Sequence, residues 1–253
     1  MVFSTPILLM VLVAVFVGAV LQRLSGTGMG LVLAPILTLV LGAATGVLVA
    51  NATTTVSALM MLLALRRDVE WPRALLICAF AIPGAVVGGF VVRATPAAWL
   101  QVIVGGVVML AILVTVLASA LGRMPRVHAP WITPLAGFLG GIFNTTAGVS
   151  APVMVVHSRL VAWEQKAFAA SMQPVFATMG FFSVLVKPLL AAADTALPPW
   201  WLMPLVVVTV VVGILAGTWA ARRVSSAQAR TIAITLAGLG GFSALVRGVM
   251  GLV

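Results

Sequence analysis

Ten apolar runs follow one another along this chain with only short polar connectors between them, and that pattern leaves one class of fold. The runs cover residues 5–24, 29–42, 46–65, 74–92, 98–121, 132–143, 149–158, 167–190, 200–221 and 230–250. Several approach the roughly 20 residues that cross a hydrocarbon core of about 30 Å as a helix. Lipid offers the backbone no hydrogen bonds, so such runs must satisfy their own, and a helix does so within the segment. Only 7% of the 253 residues are charged, against about 25% in soluble domains. The expected fold is all-α, a polytopic helical membrane protein with many passes.

The formal charge of +10 comes from 14 Lys and Arg set in short loops. Residues so placed orient a chain in the bilayer and meet anionic headgroups, so no nucleic-acid partner is expected. The expected partners are the lipid bilayer and a small anionic substrate, with a homo-oligomer left open. The first 22 residues lack a basic leading region, so no cleavable signal is expected, and the chain is placed as a multi-pass protein of the inner (plasma) membrane. The lone Cys78 is read as a buried thiol.

The longest polar connector, "GRMPRVHAPW" (122–131), falls near the midpoint and invites a search for a duplication. "GTGMGLVLAP" (26–35) resembles "NTTAGVSAP" (144–152), and "GAVVG" (84–88) resembles "GILAG" (213–217). "VEWPRALL" and "PPWWLMPL" match in outline, each opening the run that carries the Gly-xxx-Gly pair. Three matches in one order predict two halves, 1–125 and 126–253. The Gly-xxx-Gly pairs are read as close helix contacts.

Runs 29–42, 132–143 and 149–158 hold 14, 12 and 10 residues. At 1.5 Å per residue they reach only about 15–21 Å, too short to span. Residues 132–158 are therefore expected to form two half-helices meeting at "NTTAG", a re-entrant hairpin, with 16–42 as its counterpart. Loops 66–73, 122–131 and 222–230 carry three, two and three basic residues, whereas 191–199 carries none. Putting the basic loops on one side requires 132–158 to enter and leave on that side, which makes the halves inverted repeats, a transporter signature. Eight plain spans in two parallel halves are the alternative.

Glycine weakens a helix, and bare backbone survives at membrane depth only where protein or a polar cavity meets it. "SGTGMG" and "NTTAG" are thus candidate substrate contacts: Arg23, Ser25, Gly26, Thr27, Gly28 and Gly30 in the first copy, Asn144, Thr145, Thr146 and Gly148 in the second. Free N–H groups at a helix N-terminus attract an anion, so backbone amides at 26–30 and 144–148 are the expected anion donors. Asn51 and Thr54 in "NATTT" and Gln173 in "SMQP" add polar contacts. The four acids (Asp68, Glu70, Glu164 and Asp194) fall in loops, Lys187 and Arg247 are read as snorkelling, and His157 as interfacial. No metal-spaced cluster or ATP-binding loop is present, so no cofactor, metal or catalytic residue is assigned. The competing class is a membrane-embedded enzyme or cofactor-assembly protein without transport.

The chain resembles the sulfite exporter TauE/SafE family of membrane permeases. The resemblance rests on "SGTGMGLVLAPILTLVLG", "LVANATTTVSALMMLLALRRDVEWPRALL" and "IPGAVVGGFVV", then a second copy opening "PLAGFLGGIFNTTAGVSAP". That copy carries Asn-Thr-Thr where the family form is rich in glycine. The resemblance implies a secondary transporter or facilitator, not an enzyme, moving small sulfur-containing or carboxylated anions such as sulfite, sulfoacetate or taurine-derived sulfonates.

Overall fold

The computed structural model describes residues 4–25, 29–120, 129–190 and 199–252. Ten α-helices carry these residues: α1 (Thr5–Ser25), α2 (Gly30–Leu41), α3 (Ala43–Leu65), α4 (Trp71–Ala94), α5 (Ala97–Ala120), α6 (Ile132–Ala147), α7 (Ala151–Leu160), α8 (Gln165–Leu189), α9 (Leu202–Ala220) and α10 (Ser226–Met250). Among the described residues, seven helices are long and apolar enough to cross a bilayer (α1, α3, α4, α5, α8, α9 and α10). The remaining three, α2, α6 and α7, are the short runs of the sequence. The protein is an all-helical, multi-pass membrane protein.

Two ends of the bundle are distinguishable. Trp71, Trp131 and Trp219 are exposed near one end, and Trp99, Trp200 and Trp201 near the other, as interfacial tryptophans of a spanning protein are. The first end also gathers Arg66, Arg67, Arg73, Arg159, Lys166, Arg222 and Arg223. There Lys166 Nζ meets Asp68 at 2.8 Å, and the Glu70 N–H donates to Ser171 Oγ at 2.9 Å. Glu164 starts α8 by accepting from the N–H groups of Lys166 and Ala167, a cap that satisfies two otherwise orphaned donors.

The short helices enter this bundle in two pairs, α1 with α2 and α6 with α7. In the second, α6 runs inward from the arginine end alongside α4 and α7 returns, so that Thr133 Oγ1 and His157 Nε2 lie 3.0 Å apart. The turn is made at Gly148, whose φ of +72° is left-handed and whose N–H donates to Asn144 O. In the first pair α2 returns from the tip, and a single residue, Gly42, joins it to α3 with φ +84°. Both positions require glycine's freedom. Arg247 Nη1 donates to Leu39 O at 2.8 Å, taking up a carbonyl at the end of α2.

Glycine faces set the closest helix contacts. Gly84 and Gly88 of α4 pack on Phe138, Ile142 and Thr145 of α6, while Gly213 and Gly217 of α9 pack on Phe16, Val20 and Arg23 of α1. In both cases the partner row is i, i+4, i+7, one ridge of a helix received by a groove of small residues. Cys78 is buried, as expected.

Three expectations are corrected. The first half-helix does not stop at 143: α6 runs to Ala147 and takes in Asn144, Thr145 and Thr146, so the half-helices meet at Gly148, the last residue of "NTTAG". Threonine tolerates that helix because Thr146 Oγ1 donates back to Ile142 O. Lys187 does not snorkel but is fully buried. His157 lies near the arginine end beside Thr133 but is buried rather than exposed there, packed on Trp163 with ring centroids 5.7 Å apart.

Candidate functional site

The start of α2 and the turn between α6 and α7 meet inside the bundle. A Cβ on Gly30 would collide with Gly148 O, and one on Gly148 would lie 2.8 Å from Ala34 Cβ. Beside this contact is a small cavity of about 20 Å³ lined by Gly30, Leu31, Thr54, Asn144, Gly148, Val149, Ser150, Ala151 and Phe176. Gly30 and Leu31 open α2, Ala151 opens α7 and Ser150 is its N-cap, so the cavity is walled by two helix N-termini. The first N–H groups of a helix have no intrahelical acceptor, and two such ends at one point make a positive-potential site for an anion.

The polar side chains at the cavity divide into used and unused. Asn51 is used: its Nδ2 donates to Asn144 O at 2.9 Å and to Ser183 Oγ at 2.7 Å, and its Oδ1 accepts from Asn144 Nδ2 at 3.2 Å. An amide nitrogen has two hydrogens, so Asn51 has no donor left for a ligand. It pins α3 to α6 and α8. Thr54 Oγ1 and Ser150 Oγ are unused, both buried and without a hydrogen-bond partner. Buried hydroxyls are almost always paired, and two unpaired ones at a cavity wall are groups awaiting a ligand or water. The cavity has room for about one water, since that needs roughly 10–15 Å³. A small oxyanion enters only if α2 and the α6–α7 turn part.

The sequence-derived candidates sort unevenly around this point. Gly30, Thr54, Asn144 and Gly148 line the cavity, and Asn51 is one hydrogen bond behind Asn144. Gly26, Thr27 and Gly28 lie outside the described residues. Thr145 and Thr146 do not line the cavity: Thr145 faces Gly88 of α4, and Thr146 bonds within its own helix. The amides of 144–148 are not the expected donors, because α6 continues through them and the Gly148 N–H is taken by Asn144 O. The start of α7, Ala151 with its N-cap Ser150, borders the cavity in their place. Gln173 donates to Ala169 O at 3.0 Å, leaving Oε1 buried without a partner, and it is not among the lining residues. Arg23 and Ser25 do not reach the cavity. Arg23 Nε donates to Thr218 Oγ1 at 3.0 Å on the flank of α9, and Ser25 Oγ donates to Leu21 O at 2.6 Å.

Ser150, Ser183 and Gln22 are polar positions that the sequence reading passed over. Ser150 stands two residues past the glycine that opens the turn, a spacing that marks a helix start. Gln22, which accepts from Ser57 Oγ at 2.7 Å, is an amide in an apolar run and carried the same signal as Asn51. A second, larger cavity of about 460 Å³ lies among α5, α6 and α7, lined by apolar side chains with His157 as its one polar member. Beyond the His157 ring it brings no polar side chain to an anion.

A family model for the sulfite exporter TauE/SafE matches residues 10–244. The chain belongs to the sulfite exporter TauE/SafE family. That membership makes it a membrane permease, and the matched span includes α2, α6, α7 and the cavity between them. No curated protein and no solved structure matches the chain.

Proposed function

We propose that this TauE/SafE protein moves a small sulfur oxyanion or organic anion, such as sulfite or a sulfonate, by alternating access. The observation that carries this is the cavity itself: two helix N-termini and two unpaired hydroxyls, Thr54 Oγ1 and Ser150 Oγ, converge on one buried point. Amide and hydroxyl donors without a carboxylate suit a ligand that brings its own negative charge. The site is held between elements of both halves, 1–125 and 126–253, so relative movement of the halves would open it to one side at a time.

The matching contact rows support reading the halves as inverted repeats. Gly84 and Gly88 meet α6 in the pattern by which Gly213 and Gly217 meet α1. Likewise α2 packs on α10 as α7 packs on α5. The basic end is placed in the cytoplasm by the positive-inside rule, with the protein in the inner membrane.

Reconstitution into proteoliposomes tests the reading. Counterflow of labelled sulfite, sulfoacetate and acetate should exceed that of empty vesicles for at least one anion. A single cysteine at Thr54 in a Cys78→Ser background should react with an impermeant thiol reagent from one side at a time, with the side set by the substrate gradient. Vesicles that exchange no anion would refute the assignment, and simultaneous labelling from both sides would refute alternating access.

A further inference from the structure

Among the described residues, the largest fully buried side chain is a lysine. Lys187, on α8, is 0% exposed, and its Nζ has no hydrogen-bond partner. Among the described acids, Asp68 holds Lys166, Glu70 holds Arg73 and Glu164 caps α8, whereas Asp194 lies outside the described residues. An ammonium taken out of water without a counter-charge is among the most costly groups a fold can bury. Ionisable residues inside a membrane mark ion paths for that reason.

Its place in the fold says which path. Residues at i, i+4, i+7 and i+11 share a helix face, and Phe176, Gly180, Ser183 and Lys187 form such a row on α8. Phe176 lines the cavity, Gly180 lies against Thr55 and Asn51 of α3, and Ser183 accepts from Asn51 Nδ2. Asn51 in turn joins Asn144 at the cavity wall. An unbroken polar chain therefore leads from the cavity through Asn144, Asn51 and Ser183 to within one turn of Lys187. Ser183 spends an acceptor on Asn51, so its hydrogen remains to donate.

We propose that Lys187 and Ser183 form a second anion station on the transport path, beyond the cavity on the side away from the arginine end. It takes the same class of ligand, a small oxyanion, with Nζ supplying the charge that the cavity's amides and hydroxyls lack. This rests on the anion-permease reading, and the test separates the two.

The chain has two lysines, Lys166 and Lys187, and Lys166 is exposed. Wild-type protein in vesicles is treated with ethyl acetimidate, with and without saturating sulfite, and both lysines are quantified by mass spectrometry. The ratio of Lys187 to Lys166 modification should fall at least fivefold with sulfite. Lys187→Gln, checked for folding by its melting temperature, should raise KM for sulfite tenfold or more, with Lys187→Arg in between. In vesicles that exchange sulfite, an unchanged labelling ratio, a Lys187 that never labels during turnover, or a wild-type KM in Lys187→Gln overturns the station. Vesicles that exchange none of the anions refute the permease reading, and the station falls with it.

Discussion

Replacing Asn51 by leucine tests whether the central polar cluster is a pin rather than a ligand contact. The side chains are similar in volume, so the change removes hydrogen bonds without opening a large cavity. Three bonds are lost, at 2.9, 2.7 and 3.2 Å. Two leave partners with other options: Asn144 O still accepts from Gly148 N–H, and the Ser183 hydroxyl can rotate. Polar bonds between membrane helices average about 0.6 kcal/mol each, so these two account for about 1 kcal/mol. The third strands Asn144 Nδ2, 4% exposed as a residue, and an orphaned buried donor costs about 1–3 kcal/mol. The expected loss is about 2–4 kcal/mol, read by equilibrium unfolding in mixed micelles titrated with dodecyl sulfate. Thr53→Val is the control, since Thr53 Oγ1 bonds only to Val49 O in its own helix, and should fall within about 0.5 kcal/mol of wild type. An Asn51→Leu protein as stable as that control would refute the pin and return Asn51 to the ligand.

Thr54→Val removes a hydroxyl that has no partner in the folded protein; unfolding stability should hold or rise slightly, while KM for the transported anion in counterflow rises about tenfold, equivalent to roughly 1.4 kcal/mol. Gly30→Ala drives a methyl into Gly148 O, so transport should be lost while the protein still inserts, as judged by membrane fractionation and gel filtration. At the arginine end, the N–H groups of Lys166 and Ala167 hold the Glu164 carboxyl below its ordinary value of 4.5. A depressed carboxylate stabilises at and above that ordinary value and loses its contribution as pH falls through the folded value. Glu164→Gln should therefore flatten the acid limb of a melting-temperature profile below pH 4.5, and an unchanged profile would count against the cap.

Apolar length and composition alone determined that this is a multi-pass helical protein, because lipid allows a backbone so few solutions. The short apolar runs likewise marked which segments fail to span, since a run of ten apolar residues cannot cross the core whatever packs around it. Membership of the permease family was legible in the order of the sequence motifs. What the sequence could not decide was which polar atoms remain free once the helices pack. Asn51 and Thr54 sit three residues apart and looked alike, yet Asn144 and Ser183 arrive to saturate the first and nothing arrives for the second. Arg23 lies in the opening glycine-rich stretch, but α9 brings Thr218 to it and holds it off the cavity. Lys187 stands near a helix end, where a long flexible stem normally carries its charge to water, and only the packing around α8 closes that route. Local chemistry names the groups able to bind an anion; the partners that consume or spare them come from distant parts of the chain, and hydrogen-bond supply is settled only in three dimensions.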